Sequence, residues 1–297
     1  MRLLTGLSFA WLSVEVANVD RMPLTFPAHQ VAVLPLKLWR PRWFDGTALV
    51  VGAGVPDILY VLRGAEGFES HHLTGIAVAV PFTVAYSMVL RRYAADGFFG
   101  SLPDFGPLKA RSYRVLKNGR PSLLVTVWSA LIGVLSHVIV DSFTHQGRFG
   151  SRSLGLDRVL FDGPEGAITI AKTLQYLGHT VGSLMGMLLL VLVVSDKHLG
   201  DWYGKDAIEE SRLAPVREGA QRRAIWMFAA SIVIGTLWGL SASPFPIFHM
   251  GFAAVMGFLV IGIVNRPPAT TLATCPDIST HHTTTSSMSS AEHSPKT

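Results

Sequence analysis

The stretch SLLVTVWSALIGVLSHVIVDSFTH, residues 122–145, is apolar for the length of a membrane crossing and closes on two histidines and an aspartate. Hydrocarbon about 30 Å thick asks a helix for about 20 apolar residues. The run 122–141 meets that length and carries no Lys, Arg, Asp or Glu before Asp141. His137 and Asp141 stand four residues apart, so on a helix they share a face, one turn above the other, and His145 continues the spacing. A His-x-x-x-Asp pair on one face offers a metal a neutral nitrogen and an anionic oxygen together. The same pair can instead hydrogen-bond internally and hold two helices together.

Outward from this stretch the pattern repeats. Apolar runs occupy residues 47–62, 73–90, 173–194, 224–240 and 246–264, which with 122–141 makes about six spans. Residues 28–39 are apolar but too short to cross, and read as a re-entrant or in-plane helix. The fold class is therefore all-α: a polytopic transmembrane helical bundle over residues 22–265. Composition agrees. Only 15% of the 297 residues are charged and the mean hydropathy is +0.38, where an ordinary soluble domain carries about 25% charge. The net charge of +5 would raise nucleic acid as a partner in a soluble protein. Here the basic residues flank apolar runs, so membrane lipids are the partner they imply, and nucleic acid is not.

The two ends differ from the middle. Residues 1–21 resemble a weak signal segment interrupted by Glu15, or an extension upstream of a start at Met22. Residues 266–297 are rich in Ser, Thr and Pro, lose apolar periodicity and read as a disordered tail. Its adjacent His281 and His282 read as incidental. The single cysteine, Cys275, excludes an intrachain disulfide and a thiolate metal cluster. Any metal site must use His and carboxylate, which suits zinc and similar divalent ions.

Lys and Arg concentrate in segments 91–120 and 195–223. The positive-inside rule places both, and the tail, in the cytoplasm, and turns the other connections outward.

Ionisable side chains within or beside spans are costly and ask for a reason. They are Asp57 in VGAGVPDILYVL, His72 at the head of the second span, His137 and Asp141, His179 in LQYLGHTVGSLMG, and His249 after PFPIF. His29 belongs to the short segment before the first span. Asp57 follows Gly52-Ala53-Gly54 and Pro56, residues that let a helix bend and backbones approach. The polar turn between Asp57 and His72 brings the two back together, so Asp57, His72, His137 and Asp141 converge near one membrane face. His179, with Gln175 one turn away, can line the same cavity, whereas His249 reads as structural. No Walker, dinucleotide-binding, GxSxG or HExxH motif occurs.

MPLTFPAHQVAVLPL from Met22, VGAGVPDILYVL, HHLTG, LIGVLSHVIVDSFTHQG and LQYLGHTVGSLMG occur in the order of an uncharacterised bacterial membrane family, domain of unknown function 4184. The chain resembles that family from Met22 to about Ser195, departing where Pro27-Ala28 replaces the Ser expected before His29. The family is in turn similar to membrane-bound metal-dependent hydrolases and, remotely, to zinc-dependent phospholipase C and P1-type nucleases. The resemblance implies a bacterial plasma-membrane location. It also implies His29, Asp57, His72, His137 and Asp141 as ligands of one or two divalent metal ions, zinc favoured, with His71 as a substitute for His72. The activity it implies is hydrolysis of phosphoester or lipid-like substrates, with His145 or His179 orienting substrate or moving a proton. The rival classes are a proton- or cation-coupled carrier and a structural bundle with buried His–Asp pairs. One difficulty stands. If 47–62 crosses fully, His29 lies on the cytoplasmic side and His137 on the outer side.

Overall fold

In the computed structural model the described residues are 26–62, 71–104, 106, 109–163, 166–194, 196–242 and 246–268. The N-terminal segment 1–25 and the tail beyond 268, with His281 and His282, lie outside them. The chain is an all-α bundle. Among the described residues four helical stretches are long and apolar enough to cross a membrane: Thr74–Gly100, Leu123–Thr144, Ala220–Ser241 and Pro246–Val264. They cover the expected spans 73–90, 122–141, 224–240 and 246–264. Only 17% to 39% of each apolar window is covered by protein, and Leu124, Trp226 and Leu240 stand more than half exposed. In water such uncovered apolar faces would drive association; against lipid tails they are the ordinary surface. A further helix, Ile170–Val194, is 25 residues long and occupies the expected span 173–194.

The expected span 47–62 is not one helix. It divides into α2 (Gly46–Gly52), α3 (Val55–Ile58) and a 3-10 turn, Leu59–Leu62. Gly52, Ala53 and Gly54 break the first piece, and Pro56 sits at the start of the second. The seven residues of α2 rise only about 10 Å, far short of a crossing. Before it, α1 (Gln30–Trp39) descends from His29 and α2 returns, so the pair forms a re-entrant hairpin. That resolves the topological difficulty. α1 runs from His29 at the cluster end to the basic end. α2 and α3 run back beside it from Asp45, tied to Arg91 and Thr126, to Asp57, beside His137. His29 and His137 therefore share one end.

The hairpin is tied at its lower end by a buried ionic knot. Asp45 caps α2, its Oδ1 accepting from the Thr47 and Ala48 amides, while its Oδ2 accepts from Arg91 and Thr126. Arg91 ends α4 (Leu73–Val89) through a π-turn at Leu90–Ala94, after which α5 (Ala95–Gly100) continues the rod. Thr126 opens α6 (Leu123–Thr144). α4 and α6 are therefore antiparallel, joined by the basic segment 91–120. The other basic segment meets it there: the Arg114 guanidinium donates to the Ala214 and Pro215 carbonyls. Arg217 likewise donates to the Val264 carbonyl at the end of the last helix. Both basic segments lie at one end of the bundle, and the opposite end carries the C-terminus of α6.

Beyond α6 come a short helix α7 (Phe149–Ser153) and a two-stranded antiparallel hairpin, β1 (Val159–Gly163) with β2 (Gly166–Thr169). Neither VLFDG nor GAIT alternates apolar and polar residues, so the pattern predicts no strand here. Helices α8 (Ile170–Val194), α9 (Asp196–Tyr203) and α10 (Lys205–Leu213) follow, then the paired α11 (Ala220–Ala242) and α12 (Pro246–Val264).

α2 packs on α6 at backbone contact. A Cβ on Gly133 would lie 2.7 Å from the Leu49 carbonyl oxygen, and one on Gly52 would lie 2.9 Å from that of Ala130. Both neighbours are backbone and cannot yield, so this approach requires glycine. Gly133→Leu should push α2 off α6, with a loss of about 1–3 kcal/mol from overpacking. The check is a thermal melt of the detergent-solubilised protein; an unchanged midpoint would contradict the close approach.

Candidate metal centre

Three segments carry ligand-type side chains to the end away from the basic loops. Asp57 sits on α3, immediately after the Gly-Pro break. His71 precedes α4. His137 and Asp141 share one face of α6. All four are buried, His137 completely. One ligand atom from each lies within 4.8 Å of the other three, a group that could hold a metal ion. His71 Nε2 is 3.2 Å from His137 Nε2, 3.0 Å from Asp141 Oδ2 and 3.7 Å from Asp57 Oδ1. His137 Nε2 is 3.3 Å from Asp141 Oδ2 and 3.4 Å from Asp57 Oδ1. A tetrahedron with zinc–ligand bonds of about 2.0–2.1 Å has edges of about 3.3–3.4 Å. These five edges scatter around that length and the sixth, between the two carboxylates, is within 4.8 Å, so the set could hold a metal ion.

The orientation of His137 is fixed from behind. Its Nδ1 donates to the Ala53 carbonyl at 2.7 Å, in the break between α2 and α3. That leaves Nε2 as the free lone pair, aimed at the other three. The close α2–α6 packing thus does more than fill space: it delivers the carbonyl that sets the ring.

His29, which charge counting put on the opposite side from His137 if 47–62 crossed, lies against the cluster. Its ring stacks on His137 with centroids 3.9 Å apart, and its Nε2 is 3.5 Å from Asp141 Oδ1. That oxygen is buried without a hydrogen bond. His145 approaches the same oxygen through Nδ1 at 3.7 Å, and its Nε2 meets the Gln175 amide at 3.0 Å. Burial, with His137 beside it, pushes the His29 ring down to about 4, and burial likewise lowers His145. Both rings are therefore neutral at pH 7, the state in which imidazole can ligate.

His72 is not part of the group; His71 stands in its place. His72 is the N-cap of α4 with extended backbone, φ −116° and ψ −177°. In extended chain successive side chains point to opposite sides, so with His71 turned inward His72 faces out and is exposed. The adjacency of the two histidines was visible in the sequence; which one turns inward was not. His179 is half-buried on α8, one turn beyond Gln175, and its Nδ1 is buried without a partner. His249 sits apart, packed edge-on against Trp238 at 4.6 Å between α11 and α12. It is buried rather than interfacial.

Fold and site together define a class: a bundle of membrane-length helices around a buried His/Asp cluster able to hold a metal ion. The chain belongs to the family described as domain of unknown function (DUF4184), whose model matches residues 22–275. No curated protein and no solved structure matches it.

Proposed function

We propose that the chain is a membrane-embedded metal-dependent hydrolase acting on phosphoester or lipid-like substrates, with zinc as its ion. The observation that carries this reading is the buried set of Asp57, His71, His137 and Asp141, with one ligand atom from each within 4.8 Å of the others. Two His and two carboxylates are a borderline-to-hard donor set that suits zinc. His29 and His145, at 3.5 and 3.7 Å from Asp141 Oδ1, would be the further residues available to hold a second ion beside the first.

Asp57, His71, His137 and Asp141 would hold the ion, which would supply Lewis-acid polarisation and, with a fifth position beyond these four donors, a hydroxide nucleophile at neutral pH. The side chains do the rest. Hydrolysis joins a water oxygen to phosphorus and breaks the ester P–O bond; the proton that water releases is the one the leaving oxygen needs. His145, held by Gln175 beside Asp141, is positioned to carry it. His179, on the same helix as Gln175, has a buried Nδ1 open to a substrate hydrogen bond. Positive-inside orientation puts the basic end in the cytoplasm and so opens the cluster toward the outer leaflet. Phe149, Leu154 and Phe161, all more than half exposed at that end, suit contact with the lipid interface.

The test uses purified full-length protein in detergent. At least one zinc per chain is expected by elemental analysis, with turnover of p-nitrophenyl phosphate that dipicolinate stripping abolishes and added zinc restores. Protein that binds no zinc after equilibration with it would end this reading.

A further inference from the structure

A cavity of about 560 Å³ runs alongside the re-entrant hairpin, within the ~300–1,000 Å³ range of ligand pockets. At one end it is lined by Gln30, Gly54 and Ile58. These are the chain neighbours of His29, of Ala53 whose carbonyl sets His137, and of Asp57. At the other end it is lined by Lys37, Trp202 and Tyr203, among the basic segments. None of the four cluster residues lines it; its length runs from the neighbours of the cluster toward the opposite face of the bundle. Tyr86 and Phe98 of one membrane-length rod and Val255 and Phe258 of another form its walls, so it lies at the depth of hydrocarbon.

The lining is largely apolar; Thr47, Tyr86, Tyr113 and Tyr203 add hydroxyls, and Lys37 and Gln30 bear most on the occupant. Lys37 is its one charged side chain, and that ammonium is engaged by the Pro41 and Phe44 carbonyls at 2.7 and 2.9 Å. It neutralises nothing in the cavity and calls for no anion there. Gln30 is 1% exposed; its Nε2 donates to the Val50 carbonyl, but its Oε1 has no partner. A buried acceptor left unpaired is unfavourable. It is relieved by an occupant that brings a hydroxyl or amide hydrogen to the cluster end and only hydrocarbon beyond it.

We propose that this cavity seats the hydrocarbon chain of a membrane lipid whose phosphoester headgroup lies at the His/Asp cluster. The proposal rests on the hydrolase reading and names its substrate class. The lipid enters from the leaflet opposite the basic segments, head at Asp57, His71, His137 and Asp141, tail running down past Val50 toward Leu116.

Val50→Trp and Leu116→Trp each place an indole in the cavity without touching the cluster. The probes are a pyrene-labelled long-chain phosphatidic acid for binding and hydrolysis, p-nitrophenyl phosphate for chain-independent turnover, and bound zinc. Both variants should bind the long-chain probe at least ~10-fold more weakly and keep wild-type zinc and p-nitrophenyl phosphate turnover. Wild-type affinity for the long-chain probe in both variants overturns the proposal. If Val50→Trp also loses zinc, its fold is disturbed and Leu116→Trp, at the far end, decides. Lost chain binding with neither probe hydrolysed by the wild-type protein keeps the chain seat and overturns the hydrolase reading, so the two failures are told apart.

Discussion

Asp141→Asn should abolish zinc binding while leaving a folded protein. Asparagine keeps the shape of the side chain and removes the charge that four histidines share. His71 at 3.0 Å, His137 at 3.3 Å, His29 at 3.5 Å and His145 at 3.7 Å all converge on its two oxygens. Loss of a partner one layer out from a metal costs about 10–100-fold in affinity, so loss of this ligand should cost at least ~100-fold. The second readout is stability. An ion that binds only the folded chain at a thousand times its dissociation constant stabilises it by about 4 kcal/mol. Wild-type protein should therefore melt at a higher temperature in zinc than in chelator, and Asp141→Asn should melt at one temperature in both. His249→Ala, a substitution away from the cluster, should keep the zinc-dependent shift. If Asp141→Asn binds zinc with unchanged stoichiometry and affinity, the cluster is not the site. If wild-type protein shows no zinc-dependent shift, the pairs are structural and the hydrolase reading falls with them.

How much of this was legible beforehand depends on which kind of signal each residue gave. The His137–Asp141 pair was readable because helical periodicity converts a four-residue spacing into a shared face, and the length and apolarity of 122–141 guarantee the helix. Four of the spans were readable for the same reason. Residues 47–62 were not, because hydropathy reports composition and not depth. A broken helix buried in protein and a crossing helix in lipid draw on the same apolar residues. The sign of the break was present in Gly52, Gly54 and Pro56, but its consequence, a carbonyl at Ala53 aimed at His137, needs coordinates. The knot of Asp45, Arg91 and Thr126 was missed for another reason. Each lies at the edge of an apolar run, where a charge reads as a loop residue. Their pairing joins positions 46 and 81 residues apart.

The sharpest contrast lies between two neighbours. His71→Ala should lose zinc by at least ~100-fold in affinity, and His72→Ala should bind it as wild type does. His71 Nε2 makes three edges of the tetrahedron, to His137, Asp141 and Asp57. Its removal leaves two buried carboxylates facing one remaining histidine of the four-residue group, a loss that the protein feels as well as the ion. Truncating one partner of a buried charged pair typically costs about 3–5 kcal/mol. His72 touches none of these atoms; it ends an extended residue at the start of α4 and faces out. The composition of the two variants is identical, as is the distance of each substitution from the spans. Any general effect of losing a histidine at the head of α4 therefore cancels, and the difference in bound zinc reports only which ring turns inward. Equal losses in the two variants would mean that residues 71 and 72 exchange roles. Zinc lost only in His72→Ala would restore the assignment read from the family resemblance and reverse the one drawn from the geometry.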